Sequence, residues 1–85
     1  MAYRLQLKSE DIDLIKSFSP TSFFSLENFQ NDIYLIDEDI YIEVLQDDID
    51  DAIVHHGMDE QYELTDLGGK LQALYDKLYL QVENQ

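Results

Sequence analysis

The sequence has no cysteine and no tryptophan, one proline, three glycines, and not a single lysine or arginine between Lys16 and Lys70. Each shortage excludes something. Without cysteine there is no disulfide framework and no thiolate metal site, which fits a reducing compartment. No apolar run is long enough for a signal peptide or a membrane span, and the opening MAYRLQLKSED carries charge within its first ten residues, so a soluble cytoplasmic protein is expected. With so little proline and glycine there is no linker, no low-complexity stretch and no internal repeat. The 85 residues are therefore expected to form a single compact domain, 1–85, of a size at which burial only just exceeds conformational entropy.

What is abundant is apolar surface and negative charge. Hydrophobic residues make up 45% of the chain, including six Tyr and four Phe, which is too much for a disordered acidic tail. The formal net charge is −14, and its distribution is uneven. Glu27, Asp32, Asp37, Glu38, Asp39, Glu43, Asp47, Asp48, Asp50, Asp51, Asp59, Glu60, Glu63 and Asp66 all fall in the stretch without bases, while the remaining acids cancel the five basic residues. A single-sign field of this kind repels nucleic acid and anionic membrane and attracts a basic protein surface.

The clearest periodicity lies at Thr65 to Val82. Leu67, Leu71, Leu74, Leu78 and Val82 stack on one helical stripe, with Tyr75 inside the same arc and Tyr79 on its edge. Thr65 reads as its N-cap, and Gly68 and Gly69 weaken its start by roughly 1 kcal/mol each relative to alanine. At the other end YRLQL alternates like a half-buried strand, Ser9 precedes a short helix with Glu10 and Asp11 in its first turn, and Pro20 stops that helix. Phe23, Phe24, Leu26 and Phe29 fit either one or two helical turns capped by Thr21 or Ser22, or an irregular segment laying aromatics on the core.

From Asp32 the pattern DIYLI, DED, IYIEVL predicts a β-hairpin around a polar turn, with a helix starting as early as Ile42 as the alternative. By Asp47 a helical period carries Ile49, Ala52, Ile53 and His56 inward, and Gly57 suits a left-handed C-cap. Met58 to Glu63 is a polar connection. The expected fold is α+β: a small antiparallel sheet of about three strands packed against three or so helices, including the amphipathic C-terminal one.

Chemistry is harder to place. Asp47, Asp48, Asp50 and Asp51 share helix faces at a spacing that could hold a divalent cation, but aspartates opening a helix satisfy free N–H groups and complement the dipole. Asp37 to Glu43 lacks the glycine and ligand spacing of a calcium loop. His55 and His56 diverge by roughly 100° on a helix and cannot ligate one ion from one face. Serines 9, 17, 19, 22 and 25 sit in no nucleophile elbow, and Gly68-Gly69-Lys70 lacks the phosphate-loop spacing. No catalytic residue, metal or cofactor is expected. An enzyme would need a pocket that gathers His55 or His56 with two carboxylates.

The segment YELTDLGGKLQALYDKL is similar, through Leu64, Thr65, Gly68 and Lys70, to the stretch opening the last helix of winged-helix regulators. It spans about a fifth of the chain, lacks a preceding basic recognition helix and has the wrong charge for DNA, so no family is assigned. Tyr62, Tyr75 and Tyr79 suit either a core or an interface.

The leading expectation is a small non-enzymatic binding protein that docks an acidic surface on a basic protein partner, through Asp37, Glu38, Asp39, Glu43, Asp47, Asp48, Asp50, Asp51, Asp59 and Glu60. Its sharper form is mimicry of nucleic acid, as in an inhibitor, antitoxin or immunity protein, because carboxylates at helical spacing stand about 5–6 Å apart, near the spacing of phosphates. Small phage and mobile-element inhibitors often combine this size and charge. No direct binding of nucleic acid or membrane is expected. The alternative is a structural or assembly component, a homodimer in which Gly69, Ala73 and Leu80 line the back of the last helix and charge serves solubility.

Overall fold

The computed structural model describes residues 2–61 and 63–85. The chain runs β1 (Ala2–Gln6), α1 (Ser9–Phe18), α2 (Pro20–Ser25), β2 (Glu27–Gln30), β3 (Ile33–Asp37), α3 (Glu38–Ile40), a π-helical segment (Tyr41–Leu45), α4 (Gln46–His56) and α5 (Asp66–Glu83). The strands form one antiparallel sheet in the order β1-β3-β2, so the architecture is the expected α+β. Tyr3 pairs with Ile36 and Leu5 with Tyr34, which puts these four side chains on one face of the sheet. That face and the helices enclose a core of Leu5, Leu7, Ile15, Ile36, Tyr41, Leu45, Ile49, Ala52, Ile53, Leu71, Leu74 and Leu78.

The hairpin exists but not where the local pattern put it. Its strands are β2 and β3, joined through Asn31 and Asp32, with Asn31 at φ 49°, a left-handed conformation that asparagine tolerates better than most residues. The stretch around Phe23 to Phe29, which fits either helical turns or an irregular segment, divides into α2, started by Pro20, and strand β2. IYIEVL is helical instead. Asp37, read as part of a turn, is an N-cap whose Oδ1 accepts from the N–H groups of Asp39 at 2.9 Å and Ile40 at 3.4 Å. Tyr41, Leu45 and Ile49 then bury themselves at four-residue steps, and the Tyr41 ring meets Tyr3 edge-on at 5.4 Å. Burial in the core outweighs the β preference of Ile, Tyr and Val.

Three further expectations shift. Lys8, not Ser9, occupies the N-cap of α1, where its N–H donates to Asp11 Oδ2 at 2.9 Å. His56 is exposed, with its ring 6.0 Å from that of Phe18. Gly57 is not left-handed: its φ and ψ are −96° and −2°. Its small size serves a close approach. A Cβ on Gly57 would stand 2.8 Å from the Gly68 Cα, and one on Gly68 would overlap the Gly57 carbonyl oxygen and lie 2.7 Å from its carbon. The Thr65 N–H donates to that same carbonyl at 2.8 Å, and Thr65 Oγ1 accepts from the Gly68 N–H at 3.1 Å as the expected cap of α5. Between them a short bridge pairs Met58 with Leu64, and Asp59 Oδ1 accepts from the N–H groups of Gln61 and Glu63.

At the far end α5 protects the sheet. Gln81 accepts from the Gln6 N–H at 2.6 Å and donates to the Gln6 carbonyl at 3.1 Å. Gln85 does the same to Arg4, at 2.7 and 2.5 Å. Two carboxamides four residues apart therefore fill the outer hydrogen-bonding positions of edge strand β1.

Gly68→Ala should destabilise the fold by about 2–3 kcal/mol, since backbone rather than a flexible side chain blocks the methyl group. Gly69→Ala, with nothing within 4 Å, should stabilise it by about 0.5–1 kcal/mol, both read from urea melts. Burial pushes the Tyr41 phenol above its ordinary 10.0. Because the unfolded phenol ionises first, this contribution is complete below pH 10 and is lost as pH rises above it, so Tyr41→Phe should flatten the alkaline fall in melting temperature.

Candidate functional site

The acidic stretch is carried by one continuous helix from Glu38 to His56, built from α3, the π-helical segment and α4. In a regular α-helix four residues overshoot one turn by about 40°, so residues at four-residue steps drift around the axis. The wider π-helical turn, closed by the Gln46 N–H donating to the Tyr41 carbonyl, takes back most of that drift. Tyr41, Leu45, Ile49 and Ile53 accordingly stay buried along the whole length. Asp39, Glu43, Asp47 and Asp51 follow the same four-residue step two residues out of phase, which places them on the opposite, exposed side. Asp50 is exposed beside them. The result is a line of carboxylates on the order of 18 Å long, with neighbours about 5–6 Å apart. Ile42 and Val54, 47% and 58% exposed, flank it near its two ends.

The other residues expected at a docking surface lie elsewhere or point away. Asp37 caps the helix at the start of the ridge. Glu38 is half-buried and near Tyr3, whose phenol it helps to raise after the larger effect of desolvation. Asp59 is engaged within the 57–65 connection and Glu60 is exposed on it. Asp48 turns inward. Asp47 and Asp48 were expected to open a helix, but the helix begins well before them, so they complement no free N–H groups.

Asp48 instead ends a buried chain of hydroxyls. Ser19 and Ser22 are fully buried. Ser19 has one proton and the carboxylate only accepts, so Ser19 donates to Asp48 Oδ2 at 2.6 Å and Ser22 donates to Ser19 at 2.8 Å. The chain ties the α1–α2 junction to α4. Nothing in the serine spacing signals this; a serine either side of Pro20 reads as turn chemistry.

Beside Asp48 a shallow depression of about 240 Å³ is lined by Phe18, Asp51, Ala52, His55 and His56. It has the composition required of an enzyme site, two imidazoles with two carboxylates. Its geometry is different. Lys77 with Asp11 is the one direct ion pair among the described residues, so neither histidine is paired with a carboxylate there. Among the described residues no three metal-binding side chains come together. Of the tyrosines, Tyr75 packs against the core and Tyr79 is exposed, while Tyr62 lies outside the described residues. No helix among them is long and apolar enough to cross a membrane.

Comparison with family models, curated proteins and solved structures finds no match for this chain.

Ser19→Ala breaks the hydroxyl chain and leaves Asp48 and Ser22 without their shared partner. It should lower stability by about 1–3 kcal/mol in urea melts, whereas Ser17→Ala, on the exposed side of α1, should change it little.

Proposed function

We propose that this chain is a non-enzymatic docking protein that sets the carboxylate ridge of its central helix against a basic surface of a protein partner. The observation that supports this is the four-residue alignment of Asp39, Glu43, Asp47 and Asp51, with Asp50 alongside, all exposed and none in an ion pair among the described residues. Charges held this close repel one another and reduce the stability of the fold, and a positive partner relieves that repulsion. The spacing of the ridge also suits competition with nucleic acid for a basic groove, and mimicry of that kind is the sharper form of the same reading. Ser19 and Ser22 are buried and bonded to one another and to Asp48, a role in the packing of α1, α2 and α4 that suits a docking protein.

A partner captured at low ionic strength from the cells that make the protein should be released as salt is raised, with affinity falling roughly tenfold between about 0.05 and about 0.25 M. The variant carrying Asp39→Asn, Glu43→Gln, Asp47→Asn and Asp51→Asn should lose most of that binding while melting at a higher temperature than the parent. Binding that ignores both salt and the four substitutions would sink the proposal. If nucleic acid displaces the partner, mimicry is the form it takes.

A further inference from the structure

Between α1 and α5 runs a groove of about 360 Å³ whose two walls differ in sign. All its carboxylates, Glu10, Asp11 and Asp13, belong to α1, and both its cations, Lys70 and Lys77, belong to α5. Asp11 and Lys77 meet across the groove at 2.6 Å and close its base on one side. Glu10, Asp13 and Lys70 are exposed and without ion pairs among the described residues. Leu14, Ala73 and Leu74 give it an apolar floor. On α5 the positions Lys70, Ala73 and Lys77 continue, at the next step of three, to Leu80, which is 60% exposed.

We infer that this groove receives a second copy of the chain, with α1 of each copy lying against α5 of the other. A surface with acids on one wall and bases on the other is complementary to itself. Rotation by 180° about an axis lying over the groove and oblique to it brings Glu10 and Asp13 of each copy towards Lys70 of its partner, twice in one symmetric contact. Leu80 and the floor around Leu14 would supply the apolar burial. The carboxylate ridge, in contrast, has one sign and repels its own copy. At physiological salt charges more than about 8 Å apart are largely screened, which limits the repulsion between two chains of net charge −14. Such a dimer uses a face distinct from the ridge and does not depend on the docking function.

Light scattering and sedimentation equilibrium from about 5 to about 500 μM, at about 0.15 M salt, test the inference. The wild type should pass from monomer to dimer within that range. Lys70→Glu alone, and the pair Glu10→Lys with Asp13→Lys alone, should each weaken self-association by roughly tenfold or more. Mixed in equal amounts, the two variants should recover it as a heterodimer, because each reversed wall then faces its complement; the recovery also shows that both are folded. A wild type monomeric throughout, variants that dimerise as the wild type does, or a mixture no more associated than its components would each overturn the inference.

Discussion

The contact on which the rest of the architecture depends is the one between the backbones of Gly57 and Gly68. With no Cβ on either side, the end of α4 and the first turn of α5 come together at a distance that any other residue would prevent. The Gly57 carbonyl accepts the Thr65 N–H, and Thr65 in turn caps α5, so turn, cap and crossing are fixed by adjoining groups. From that crossing Leu71, Leu74 and Leu78 are delivered to the core and Gln81 and Gln85 to the edge of β1.

Two sets among the acids have different physical roles. A minority act inward: Asp11 binds Lys77 and closes the first turn of α1, Asp48 receives the serine chain, and Asp37 and Asp59 hold backbone N–H groups. Each trades its charge for hydrogen bonds that organise the chain. The ridge residues receive no such compensation. The π-helical segment keeps them aligned, a geometry that a regular helix of the same sequence would lose within three turns.

How far the sequence discloses this differs by element. Helix α5 is legible because its leucine stripe is long and Thr65 marks its start; β1 is legible from strict alternation, and β3 from its branched and aromatic run. Local pattern puts the second hairpin strand after β3 instead of before it, because Asp37-Glu38-Asp39 has the composition both of a turn and of a helix start. Only the burial of Tyr41 against Tyr3, far away in sequence, decides between them. The carboxylates of the ridge could be named from composition, but separating Asp47 and Asp51 from Asp48 requires the phase of the helix. That phase depends on where the helix starts and on the widened turn. The Gly57–Gly68 contact was equally hidden: glycine at a helix end reads first as a left-handed cap, and the spacing between helices is not a local property.

The glutamines that stitch the margin of β1 give the sheet a direction of growth. A strand arriving from another chain finds the β1 side occupied by carboxamides that already hold both the donor and the acceptor of alternate residues. The opposite margin, β2, is four exposed residues long and shifts register between Asn28 and Gln30. Its short length, its irregular register and the charge of Glu27 protect it. The β1 side of the sheet is the better protected one, and a further strand would therefore have to add beside β2.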